Sequence, residues 1–153
     1  MIWEFICGFY KKTVGRQIRL CQIQQLIYTK SSSSLPCVYQ RFHFLKEDER
    51  KRFHYVYKTG NHWPLKDEDI ADSGTIDLSD QQWMQLTECL KGGTVSKKKK
   101  SVDSGDAGPW LTLYWDNDRR MNQTYSFSSL DDLHQFEQFC HLLMQTDLTS
   151  KHH

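Results

Sequence analysis

The side chains richest in chemistry cluster in one stretch, RFHFLKEDERKRFHYVY (residues 41–57), which sets Arg41, His43, Arg52 and His54 among aromatic and acidic neighbours. Imidazoles and guanidinium groups in this density suit metal ligation, proton transfer or anion binding. Metal ligation is the least supported. A cross-strand histidine pair can converge on one ion, but zinc takes three or four ligands, and no Cys, Asp or Glu occupies an evident third place. The run Asp116-Asn117-Asp118 fails as a calcium loop, because Arg120 and Met121 stand where the loop needs an oxygen ligand and a glycine. Aspartate and asparagine there suit a hairpin turn. No metal and no cofactor is expected.

Proton transfer and covalent catalysis find no motif either. GDAG (residues 105–108) lacks the spacing of a phosphate loop and precedes a proline instead of opening a helix. No G-x-S-x-G elbow occurs. The five cysteines, Cys7, Cys21, Cys37, Cys89 and Cys140, are odd in number and contain no C-x-x-C. Mostly they read as small buried apolar residues in a reduced chain. His62, His134 and His141 are isolated in sequence, and an enzymatic reading ranks last.

Anion binding has better support, from charge segregation. A formal charge of +1 conceals eleven Lys or Arg against three acids in residues 10–58, and two against seven in residues 59–92. The run Lys97–Lys100 adds four positive charges before a final acidic stretch of three against eight. The plain account is that basic and acidic surfaces neutralise each other within the folded domain; the sharper one is a basic face that meets an anionic partner. The candidate binding set is Arg41, His43, Arg52 and His54 with Lys97, Lys98, Lys99 and Lys100.

The elements that must position this set follow from periodicity. Residues 38–45 and 52–58 alternate apolar with polar, and the connection between them, KEDERK, has hairpin length. Pairing Leu45 with Arg52 sets Phe44 against Phe53, His43 against His54 and Phe42 against Tyr55. One side of the ribbon is then Phe42, Phe44, Phe53, Tyr55 and Tyr57, a core face, and the other carries the candidate residues in water. A slip of one residue would separate the histidines. Because the rings turn away from the charges, stacking of single-stranded nucleic acid between them is disfavoured.

Around the hairpin, residues 17–29 read as a strand, 59–75 as a loop, and 94–109 as a flexible loop. Ser79, Gln82, Leu78 and Trp83 spell a capping box with a hydrophobic staple, followed by a helix with Trp83, Leu86 and Leu90 inward and Gly92 or Gly93 as its stop. Residues 110–116 and 123–127 form a second hairpin. A second helix starts at Ser128 or Ser129, with Asp131 and Asp132 against its dipole and Leu130, Leu133, Phe136, Cys140, Leu143 and Met144 inward.

The expected fold is α+β, an antiparallel sheet of about five strands with two helices packed on one face, and an echo of one hairpin-helix unit in the two halves. A chain of 153 residues forms one domain, here 17–146, with an apolar and basic segment at 1–16 and a frayed tail at 147–153. No stretch approaches the roughly 18 apolar residues of a membrane span. Ile2, Phe5, Ile6 and Phe9 fall at helical spacing ahead of Lys11 and Lys12, so a peripheral membrane or lipid-anchored protein is a third reading beside the cytoplasmic default. The first reading is a small non-catalytic module that binds another protein. The second is a binder of nucleic acid or another polyanion through the basic hairpin and the lysine loop.

Overall fold

A computed structural model describes residues 11–98, 108–116 and 121–151 of the chain. The central hairpin pairs β3 (Cys37–Glu47) with β4 (Arg50–Gly60) in the register the alternation predicts, with Leu45 opposite Arg52, Phe44 opposite Phe53, His43 opposite His54 and Phe42 opposite Tyr55. Asp48 turns the chain at φ 52, a left-handed conformation that aspartate tolerates. Phe42, Phe44, Phe53 and Tyr55 are each 0% exposed, so one face of this ribbon is core.

The sheet is larger than expected. It has eight antiparallel strands, not about five, in the order β1-β6-β8-β7-β2-β3-β4-β5. Beyond the hairpin these are β1 (Lys11–Thr13), β2 (Gln25–Ser32), β5 (Ile70–Asp77), β6 (Thr94–Lys97), β7 (Trp110–Tyr114) and β8 (Asn122–Phe127). Three of them fall where turn-forming composition reads as loop or as a segment outside the domain. β5 carries Ser73 and Gly74, and a Cβ at Gly74 would run into the Tyr55 ring, its Cε1 lying 2.7 Å away, and into the Asp147 carboxylate. Glycine here lets the strand lie close over buried side chains, which composition presents as a break. β6 follows two glycines and runs into the lysines. β1 lies within residues 1–16, and Val14 just after it is buried.

The strand expected at 17–29 begins only at Gln25. Ahead of it the chain turns at Gly15 (φ 89), buries Ile18 and makes a short 3₁₀ turn over Leu20–Gln22. Ile18 and Leu20 therefore belong to a plug at the end of the sheet, and their alternation is coincidental.

Two helices cover the face that presents Leu26, Tyr28, Phe42, Phe44, Phe53 and Tyr55. Helix α1 (Asp80–Leu90) opens with the predicted capping box: Ser79 Oγ accepts from the Gln82 N–H at 3.1 Å, and Gln82 Oε1 accepts from the Ser79 N–H at 2.9 Å. Leu86 and Leu90 are buried, and Trp83 is half-buried against the core. Helix α2 (Leu130–Lys151) sends Leu133, Phe136, Cys140 and Leu143 into the same core, whereas Leu130 is 71% exposed and lies outside the stripe assigned to it.

Two buried phenols fasten α2 to the sheet: Tyr28 donates to Glu137 at 2.8 Å and Tyr55 donates to Asp147 at 2.7 Å. The second bond holds the helix past residue 146, where fraying was expected. Ahead of α1, β2 to β5 lie side by side in chain order, whereas β1 pairs with β6, and the strands between α1 and α2 cross over in the order β6-β8-β7. Cys37 and Cys140 are buried thiols, Cys89 is half-buried and Cys21 is exposed, and Cys7 lies outside the described residues. No helix among the described residues is long and apolar enough to cross a membrane.

Candidate functional site

Alternation puts the odd residues of β3 and the even residues of β4 on the face opposite the helices. Arg41, His43, Arg52 and His54 therefore share one surface, in adjacent rows that run across the sheet. One row reads Trp110, Thr29, Arg41, Val56, Ser73; the next reads Thr112, Ile27, His43, His54, Thr75; the third reads Tyr114, Gln25, Leu45, Arg52, Asp77. Hydroxyl and amide groups (Thr29, Thr75, Thr112, Gln25) alternate there with the apolar side chains of Ile27, Leu45 and Val56, and among the described residues no helix covers this face.

The histidines are held by the strands outside their own hairpin. His43 Nε2 lies 2.9 Å from the Oε1 of Gln25, which is only 3% exposed, and His54 Nδ1 lies 2.8 Å from Thr75 Oγ1. Among the described residues no group of three or more His, Cys, Asp and Glu is arranged to hold a metal ion.

The cations on this face differ in how far they are matched. Arg50 and Arg52 share Asp77, each at 3.6 Å, and Lys58 Nζ reaches Asp67 at 3.2 Å. Lys98 lies over the Trp110 ring, its Nζ 3.5 Å from the centroid, a distance at which the ring quadrupole attracts the ammonium. Arg41 is half-buried and has no carboxylate within ion-pair distance among the described residues. Two strands from it in the same row, roughly 10 Å at sheet spacing, the indole N–H of Trp110 is buried and has no acceptor among the described residues.

The lysine run expected to act as one patch divides. Lys98 joins the helix-free face, whereas Lys97 pairs with Tyr125, whose ring is core, and so belongs to the other side. Lys99 and Lys100 lie outside the described residues, as do Ile2, Phe5, Ile6 and Phe9 of the membrane-anchor reading and Asn117 to Arg120 of the turn. Trp110, Tyr114 and Tyr39 were missed as companions of the charges. Phe42, Phe44, Phe53 and Tyr55 of the hairpin do face the core, but Tyr39 of the same hairpin and Trp110 and Tyr114 of β7 lie on the helix-free face, and only the sheet order brings β7 beside β2. No family model, curated protein or solved structure matches the chain.

Proposed function

We propose that the chain is a non-catalytic interaction module whose helix-free sheet face receives an acidic segment of another protein. The observation that carries this reading is Arg41: it stands on the face with a planar fork of donors and, among the described residues, no carboxylate to meet them, while Arg50, Arg52 and Lys58 are matched. A guanidinium pairs a carboxylate through two parallel hydrogen bonds, so one free arginine suffices to fix a single acidic side chain. His43, His54, Thr29 and Thr75 add hydrogen-bonding groups around it.

A polyanion is the second reading, and the stacking of Lys98 on Trp110 favours it, since an aromatic platform beside a lysine is what a nucleobase and its phosphate use. It ranks lower because phosphate binding draws on several unmatched cations at once, and Arg52 and Lys58 are already compensated. Titration with a glutamate-rich peptide and with a single-stranded oligothymidine, each at two salt concentrations, separates the two. The first reading expects the peptide to bind through Arg41 with a shallow salt slope. Preferential binding of the oligothymidine with a steep slope would replace it by the second.

A further inference from the structure

On the other side of the sheet, α1 and the segment that leads into β2 bound a groove of about 480 Å³. Its bed is apolar: Leu20, Trp83 and Met84 line it, and Met84 is 63% exposed. Behind the bed, Leu20, Trp83 and Thr87 continue into a recess closed by Ile23, Leu26, Leu86 and Leu90. Arg19, Lys46 and Lys91 also line the groove, and Glu88 is its one carboxylate among the described residues. None of the three cations has an ion-pair partner among those residues.

An exposed methionine beside a half-buried tryptophan leaves apolar surface in water where the core opens sideways. A lipid surface is a poor match, because an interfacial contact is made by apolar side chains that protrude from a face and enter the acyl boundary, whereas Leu20 and Trp83 line a concavity. A side chain fits a concavity. The three unmatched cations set the charge of what carries it.

We propose that this groove docks a short segment of another protein, which lays one apolar side chain on Leu20, Trp83 and Met84 and sets acidic side chains opposite Arg19, Lys46 and Lys91. Buried apolar anchors supply most of the energy of such contacts, and the rim charges set orientation and association rate. The groove and Arg41 lie on opposite sides of the sheet, so this surface stands or falls separately from the sheet-face reading.

The test uses the full chain and a short fluorescein-labelled peptide with one tryptophan flanked by glutamates, alongside the same peptide with glutamines. Met84→Glu and the pair Lys46→Glu with Lys91→Glu alter only side chains that are exposed or unmatched, so unchanged circular dichroism and melting temperature are expected of them. The acidic peptide should bind, with amide shifts at residues 19–21 and 83–91; the glutamine peptide and both variants should bind about tenfold more weakly; Arg41→Ala should bind as the parent does. No binding of the acidic peptide, or equal binding by the variants, overturns the proposal. So does capture of the chain by phosphatidylserine vesicles that charge reversal at Lys46 and Lys91 abolishes while the peptide stays unbound.

Discussion

His43 and His54 stand opposite each other across β3 and β4, yet each imidazole is bonded away from the other, His43 to Gln25 on β2 and His54 to Thr75 on β5. The pair therefore links four strands through its side chains. Replacing both with glutamine, which keeps a hydrogen-bonding group at each place, should cost less than about 1 kcal/mol in urea unfolding. Phe44→Ala on the core side of the same ribbon should cost about 3 to 5 kcal/mol, because its ring is fully buried against Phe53 at 4.7 Å. A rise in parental melting temperature with stoichiometric zinc, absent in the double variant, would show that the histidines do share a metal.

Helix α1 separates cap, core and surface in eleven residues. Ser79→Ala removes the acceptor of the Gln82 N–H and should cost about 1 kcal/mol. Leu86→Ala, at 2% exposure, should cost about 2 to 5 kcal/mol. Trp83 was expected to be wholly core, but it is half-buried and lines the groove, so Trp83→Ala should fall below the 3 to 5 kcal/mol of a buried ring. Chemical denaturation of the three variants checks the order, and Trp83 as the costliest would mean the groove is closed in solution.

Burial, and then the hydrogen bond to Glu137, push the Tyr28 phenol well above its ordinary value; burial and the bond to Asp147 do the same at Tyr55. A phenol that ionises near pH 10 when unfolded but keeps its proton when folded contributes stability that is whole below about pH 10 and is lost as pH rises toward the folded value. Melting temperature should thus fall steeply above about pH 10. Tyr28→Phe should lower stability at neutral pH by about 1 kcal/mol and flatten that alkaline fall. An unchanged alkaline limb in the Phe variant would place the sensitivity elsewhere.

The hairpin and both helices were legible because each is specified locally. Alternation from Val38 to Tyr57 fixes which rings are buried, and with them the register and the wet face of Arg41, His43, Arg52 and His54. Ser79 and Gln82 announce a helix start without reference to any other element. What composition concealed is set by distant partners. Gly74 reads as a break until the Tyr55 ring beneath it is known, and Asp147 reads as a fraying end until the Tyr55 hydroxyl holds it. The same holds for the site. Trp110 joins Arg41 in one row only because β7 pairs with β2 across more than eighty residues of chain, a contact no local pattern encodes.

The exposure of Arg41 to an external anion is the claim on which the proposed function rests, and Arg41→Lys tests it most directly. The substitution keeps the charge and removes the fork, so binding of a glutamate-rich peptide should weaken by about tenfold, with Arg41→Ala weaker still and both variants as stable as the parent within about 0.5 kcal/mol. Amide shifts on titration should centre on Thr29, Arg41 and Val56. Equal affinity of the parent, Arg41→Lys and Arg41→Ala, with no shifts in that row, would contradict the account.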